Sequence, residues 1–86
     1  MILIMEDTIQ TFIETELLGP GAAGSLAPTD ELLMSEMIDS MGAVRLIAFL
    51  EERFSVRIPP ADITIENFST VGRIAGLLER LVGESR

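Results

Sequence analysis

The 86-residue sequence contains no cysteine, histidine, lysine, tyrosine or tryptophan. Without cysteine, disulfides and thiolate metal sites are excluded, and the redox compartment cannot be inferred from thiols. The missing residue types also include the usual general bases, thiol nucleophiles and Schiff-base amines of enzymes. Carboxylates remain, but a short helical chain has little volume for a deep cleft around a pair of them. We therefore expect a protein that is not an enzyme and binds no metal ion.

Long apolar runs are also missing. The opening segment MILIM is only five residues long before Glu6, and no basic residue precedes it. Such a segment is too short to span a membrane and lacks the basic flank of a secretory signal. We expect one domain over residues 1–86, cytoplasmic and without membrane contact, near the lower size limit for a self-sufficient core.

Basic residues are absent from the first half of the chain. Residues 1–39 contain eight acidic residues, whereas residues 40–86 contain six acidic residues and six arginines, and the net charge is −8. An acidic protein repels phosphate backbones and anionic lipids. This charge distribution argues against nucleic acid as a partner and favours basic protein surfaces.

Apolar residues recur at three- and four-residue steps in three segments, which predicts three long amphipathic helices. They are expected over Ile2–Leu18, from about Ser40 to Phe54, and over about Val71–Val82. A short helix around Ile63–Asn67 is expected as well. No segment alternates with period two for long, so the predicted fold is all-α. It is a small four-helix bundle with three long helices, one short helix and a long first loop.

Glycine and proline separate these segments. The run Gly19–Ser25 should end the first helix, and Pro59-Pro60 should end the second. Ser69 or Thr70 can cap the last helix, and Gly83 suits its end. Between the second and last helices, Ile65 or Phe68 is expected to turn inward.

The second helix has two faces of different composition. One is a predicted core stripe of Ala43, Ile47, Leu50 and Phe54, flanked by Val44 and Leu46. The opposite face carries Met41, Arg45, Ala48, Phe49 and Glu52. Its apolar members have no evident burial within the helix, which favours a partner-docking face with apolar anchors inside a charged rim. Alternatively, Met41 and Phe49 pack against the long first loop.

Ser40 lies in the motif Asp39-Ser40-Met41, which is followed directly by GAVRLIAFLEERFSVRIP. This segment resembles the acyl and peptidyl carrier protein family: the motif corresponds to the Asp-Ser-Leu of that family, and the similarity continues through the following residues without a gap. Ser69–Val71 matches the usual start of the final carrier helix. The resemblance covers roughly residues 30–82.

This resemblance implies that a phosphopantetheinyl transferase attaches 4′-phosphopantetheine to Ser40, and that the thiol of the group holds cargo as a thioester. Asp39 then has a supporting role in the modification, through the metal ion of the transferase. A helix start is also a favourable position for a phosphodiester anion. The alternative interpretation of Ser40 is a simple N-cap, worth about 1 kcal/mol to the helix.

Three features of the sequence differ from common fatty-acid carriers and argue against a fatty-acid role. Ile38 stands where many of them have glycine, Arg45 replaces an acidic residue, and the stretch before Thr70 is two residues longer. These features favour a freestanding, monomeric aminoacyl or small-acyl carrier of specialised peptide or polyketide-type biosynthesis. Its implied partners are an adenylating or acyl-transferring loading enzyme and downstream synthase or tailoring enzymes. The alternatives are a fatty-acid-type carrier and an unmodified, carrier-like interaction module.

Overall fold

The computed structural model describes residues 2–19, 21 and 24–84. Three α-helices make up most of this part of the chain: α1 (Ile2–Phe12), α2 (Ser40–Phe54) and α3 (Val71–Glu84). The described residues contain no strand, so the all-α prediction is confirmed. A π-helical segment, Ile13–Leu18, follows α1 directly. The first predicted helix therefore has the expected extent, but its last turns are wider than an α-helix.

The short fourth helix expected at Ile63–Asn67 is not found there. A single 3₁₀ turn lies earlier, at Pro60–Asp62, because the fixed φ of proline suits the first position of a helix. The chain then turns, with the Phe68 N–H donating to the Thr64 carbonyl oxygen at 3.1 Å. Phe68 is buried and Ile65 is 64% exposed, so only Phe68 turns inward. The predicted count of four helices is not confirmed.

The core lies between the three helices and the first loop. Its buried members on α3 are Val71, Ile74, Ala75, Leu77, Leu78 and Leu81, and they meet Met5, Ile9 and Ile13 on the first helix. The apolar spacing that predicted a helix over about Val71–Val82 therefore marks the face that is buried. Helical spacing located it correctly because one face of α3 is covered along its length.

The stripe predicted for α2 is shifted around the helix. Leu46 and Leu50 are buried, Ala43, Ile47 and Phe54 are only partly buried, and Val44 is 61% exposed. Buried Gly42 brings the start of α2 close to its neighbours. A Cβ atom there would lie 3.0 Å from Cγ2 of Ile38. Gly42, Leu46 and Leu50 follow one another at four-residue steps, so they share the buried face of α2.

Pro59-Pro60 does not end α2, and Gly83 does not follow the end of α3, contrary to both predictions from the sequence. Ser55 adopts a left-handed conformation (φ 54°) immediately after Phe54, so α2 ends before Pro59 is reached. The Glu51 carboxylate then accepts a hydrogen bond from the Ile58 N–H at 2.9 Å, which holds the following segment against the helix. Gly83 lies inside the last turn of α3 rather than after it.

Thr70 is the residue that caps α3. Its hydroxyl oxygen accepts a hydrogen bond from the Arg73 N–H at 3.1 Å. This confirms one of the two predicted caps and satisfies a donor that the first helical turn leaves unpaired.

The long first loop is held by hydrogen bonds at both ends of the bundle. The Glu14 carboxylate accepts from the Leu26 N–H at 2.8 Å, and the Gln10 side-chain amide donates to the Leu26 carbonyl oxygen. Further along, the Leu32 N–H donates to the Ser69 carbonyl oxygen at 2.7 Å. Leu26 and Leu32 are buried, so this loop is part of the core.

The helices of the described residues are all too short or too polar to cross a lipid bilayer.

We predict that stability depends on pH through Glu14. Hydrogen bonds from the Leu26 and Gly24 backbone lower the pKa of this carboxyl from its ordinary value of 4.5. A lowered folded-state pKa stabilises the fold above that ordinary value, and the contribution is lost as the pH falls through the folded-state pKa. Glu14→Gln should therefore lower the melting temperature at pH 7, and the difference from wild type should shrink below pH 4.5.

The control is Glu66→Gln, which changes an exposed residue by the same charge. It should leave the melting temperature at pH 7 nearly unchanged. Equal melting temperatures for Glu14→Gln and Glu66→Gln at pH 7 would show that the carboxylate of Glu14 does not hold the loop.

Candidate functional site

Ser40 is the first residue of α2 and is exposed. The residue before it, Asp39, has an extended backbone and caps the helix: its Oδ1 accepts a hydrogen bond from the Gly42 N–H at 2.7 Å. The N-cap interpretation of Ser40 is therefore wrong, because Ser40 already lies inside the helix and Asp39 occupies the capping position. Within the described chain, the Ser40 hydroxyl has no hydrogen-bond partner. It is free to react.

The helix start provides donors for an anion. The Gly42 N–H is used by the Asp39 side chain, and the Ala43 N–H donates to the Asp39 carbonyl oxygen at 2.9 Å. The N–H groups of Ser40 and Met41 have no partner among the described residues. Unpaired N–H groups and the helix dipole favour negative charge at this position. A phosphodiester on the Ser40 hydroxyl therefore fits the residues present.

Two grooves lie near Ser40, and Ser40 lines the first of them. One has a volume of about 470 Å³ and is lined by Leu33, Glu36, Ile38, Asp39, Ser40, Ala43 and Ile65. The other, of about 260 Å³, is lined by Leu17, Glu36, Met37, Ile38, Asp39, Met41, Gly42 and Arg45. Their mixed apolar and acidic walls leave room beside the hydroxyl for a flexible chain such as the pantetheine arm.

Exposed apolar side chains cluster near Ser40. Met41 is 70% exposed, Val44 61% and Ile65 64%. Sequence analysis missed Val44 and Ile65, since it placed Val44 beside the core stripe and allowed Ile65 an inward position. The available signal was spacing: Val44 follows Met41 by three residues, so the two lie on one face of a helix.

Two of the five residues predicted to dock partners, Arg45 and Phe49, contact the first helix or the π-helical segment that follows it. Arg45 donates to the Glu16 carbonyl oxygen at 3.3 Å, and its guanidinium lies 4.0 Å from the Glu16 carboxylate. The Phe49 ring stacks on Phe12 with centroids 4.0 Å apart and an interplanar angle of 11°. Met41, Ala48 and Glu52 are exposed. Phe49 packs against α1 rather than the long first loop, and Met41 is largely free.

Residues 9–78 match a protein-family model described as a phosphopantetheine attachment site. The D-alanyl carrier protein of Streptococcus suis (strain 98HAH33) is 37% identical over 51 residues, which cover 58% of this chain and 65% of that protein. The D-alanyl carrier protein of Streptococcus sanguinis (strain SK36) is 36% identical over 45 residues, covering 52% and 57%. The matched segment thus spans less than two thirds of either relative.

Solved structures share the fold. A chain from a crystal structure described as that of an FAD-dependent dehydrogenase has a TM-score of 0.74 and 36% identity, covering 81% of this chain and 97% of its own. A second match comes from the Bradyrhizobium japonicum glycine:[carrier protein] ligase complexed with glycylated carrier protein. Its TM-score is 0.67 and its identity 24%, with 88% of this chain and 96% of the matched chain covered. At that identity the second likeness concerns the fold alone.

We predict that Asp39 and Ser40 have separable effects on stability. Asp39→Ala should lower the free energy of unfolding by about 1 kcal/mol, because the Gly42 N–H loses its acceptor. Asp39→Asn should retain most of that stability, since the amide oxygen also accepts. Ser40→Ala should leave the urea midpoint unchanged. If Ser40→Ala were as costly as Asp39→Ala, the serine hydroxyl would share the capping role.

Proposed function

Because this chain belongs to the phosphopantetheine-binding carrier protein family, we propose that Ser40 is its attachment site and that it carries acyl or aminoacyl cargo between separate enzymes. The observation that supports this assignment is the exposed hydroxyl at the first residue of α2, which has no hydrogen-bond partner among residues 2–19, 21 and 24–84. The prosthetic group of the family is 4′-phosphopantetheine, and its thiol supplies the thioester chemistry that a chain without cysteine lacks. Members of the family are not catalysts, and enzymes act on them as substrates.

Asp39 has two roles in this proposal. Its Oδ1 is used by the helix cap, while its side chain remains exposed beside Ser40. In this proposal the free part of the carboxylate supports the modification as a ligand for the metal ion that the transferase uses. Because Asp39 accepts the hydrogen bond from the Gly42 N–H, the Ser40 hydroxyl is not needed to cap the helix.

We predict one phosphopantetheinyl addition per chain. Incubation with coenzyme A, Mg²⁺ and a broad-specificity phosphopantetheinyl transferase should add a single group, measured by intact mass spectrometry. Ser40→Ala should abolish the addition while the fold is retained. Ser69, a partly buried serine at another helix start, provides the control, and Ser69→Ala should be modified like wild type. An unmodified wild-type chain would favour the alternative of a carrier-like interaction module.

The proposed cargo is an amino acid or another small acyl group. The similar proteins from Streptococcus are D-alanyl carrier proteins. The most economical proposal is loading by an adenylating ligase that activates a small amino acid, in a specialised peptide or polyketide-type pathway. Loading by an acyltransferase, as in a fatty-acid-type carrier, is the second candidate. A loading assay against a panel of amino acids and acyl-coenzyme A thioesters distinguishes them.

A flavin enzyme is the proposed downstream partner. The chain matched in the FAD-dependent dehydrogenase structure is covered almost completely by this chain, so the two are close in size. We include among the tailoring steps an oxidation of the carried acyl group, in which two hydrogens pass to a flavin.

Partner enzymes are proposed to dock on the exposed residues around Ser40 and along α2. Any enzyme that acts on the Ser40 hydroxyl must cover its neighbours, and Met41, Val44 and Ile65 offer apolar surface there. The stripe predicted from sequence continues away from Ser40 through Arg45, Ala48, Phe49 and Glu52. Apolar anchors inside a charged rim are typical of such interfaces.

We predict that Met41 contributes to docking but not to stability. Met41→Ala should lower kcat/KM for loading by about tenfold, a cost typical of a docking anchor, and leave the melting temperature unchanged because the side chain is 70% exposed. Loading should also weaken at higher salt, since the rim is charged.

Ile4→Ala is the matched control for Met41→Ala, since Ile4 is 67% exposed on α1. It should load like wild type. Phe49→Ala should lower both loading and stability, because its ring stacks on Phe12. Normal loading of Met41→Ala would place the docking surface elsewhere.

A further inference from the structure

A separate groove lies between α1 and α2, on the far side of Arg45 from Ser40. Its volume is about 370 Å³, and it is lined by Asp7, Thr8, Thr11, Phe12, Thr15, Glu16 and Phe49. We refer to it as the α1–α2 groove. Phe49 follows Ser40 by nine residues, which is about 13 Å along the helix. The groove is therefore outside the immediate surroundings of the serine.

The floor of the α1–α2 groove is aromatic. The rings of Phe12 and Phe49 stack 4.0 Å apart and nearly parallel, one from each helix. Both side chains are only partly buried, and both line the groove. Exposed ring surface of this kind binds apolar side chains, and it also attracts the charged heads of arginine and lysine.

The rim of the groove is acidic and only weakly neutralised. Asp7 is exposed and has no ion-pair partner among the described residues. Within the part of the chain that the structure describes, Glu16 pairs only with Arg45, at 4.0 Å, and both side chains are more than half exposed. Such a pair contributes little and exchanges easily with another cation. Since residues 1–39 contain no base, nothing else on α1 offsets this charge.

We propose that the α1–α2 groove docks a cationic, amphipathic segment of a partner protein. An apolar side chain of that segment packs on Phe12 and Phe49, and its lysine or arginine side chains face Asp7 and Glu16. Charge complementarity and an aromatic floor together select this partner over an acidic or purely polar one.

The α1–α2 groove extends the docking surface proposed above. Phe49 belongs to both, and Arg45 lies between Glu16 at the groove and Met41 near Ser40. A partner enzyme can therefore be held on α1 while its active site reaches the arm. For its biological setting this inference rests on the proposed carrier function, but the docking chemistry itself does not require modification of Ser40.

The test measures peptide binding to the ¹⁵N-labelled full chain with Ser40→Ala, so that attachment does not affect the result. The probe is a capped amphipathic helical peptide of leucine and lysine, compared with the same peptide containing glutamate in place of lysine. With the lysine peptide we expect saturable changes in the amide chemical shifts of Thr8, Thr11, Phe12 and Phe49. The glutamate peptide should cause no such changes. Absence of saturable binding, or shifts centred on Met41 and Val44, would overturn the proposal.

Charge variants distinguish binding in the α1–α2 groove from a general attraction of the cationic peptide to an acidic protein. The pair Asp7→Asn and Glu16→Gln should weaken binding of the lysine peptide at least fivefold. The control pair, Glu66→Gln and Glu79→Gln, makes the same charge change at exposed positions elsewhere and should bind like the parent chain. Equal weakening by both pairs would overturn the proposal.

Aromatic variants test the floor of the groove in a chain that keeps its charge. Phe12→Leu should weaken binding several-fold while circular dichroism shows the helices intact. Unchanged affinity would contradict the proposed contact with the ring pair. Because these measurements use the unmodifiable chain, their failure is distinguishable from failure of the attachment at Ser40.

Discussion

The structure depends on how the long segment between the first two helices is held in place. A loop that enters the core must satisfy its backbone donors and acceptors without water. Leu26 does so through Glu14 and Gln10, which lie one turn apart and engage its N–H and its carbonyl oxygen. Leu32 does so through Ser69 at the start of α3. These two attachments fix the course of the chain that leads to Ile38, Asp39 and Ser40.

That position determines the chemistry of the candidate site. Ile38 is buried against the close approach of Gly42, and Asp39 supplies the cap. The hydroxyl of the following residue, Ser40, is exposed and makes no hydrogen bond to the described residues. An acidic cap beside a site for a phosphodiester would be unfavourable if its charge were free. Here Oδ1 is occupied by the Gly42 N–H, so part of that charge is already compensated.

The surface divides into parts with different chemistry. Near Ser40 the apolar side chains of Met41, Val44 and Ile65 are exposed, next to the acidic residues Glu36 and Asp39. On α1 they are acidic and threonine-rich around a stacked phenylalanine pair. In the proposed carrier function, enzymes that act in turn on one carried group share a contact at Ser40, and a second surface allows them to be distinguished.

The sequence by itself determined the helical class, the bounds of α2, the buried stripe of α3 and the family signature at Ser40. These features follow from the local spacing of residues along the chain. The spacing of apolar residues predicts structure correctly wherever one face of a helix is covered. Only the tertiary structure decided that Asp39 rather than Ser40 caps α2, because the two residue types cap equally well and the backbone angles choose between them.

Tertiary packing likewise exposed Val44 and stacked Phe49 on Phe12. Periodicity defines a helix face to within a residue or two, whereas the direction of that face depends on how closely the neighbouring elements approach. The described residues likewise form no fourth helix at Ile63–Asn67, because residues 65–68 make a turn that buries Phe68 and leaves Ile65 exposed.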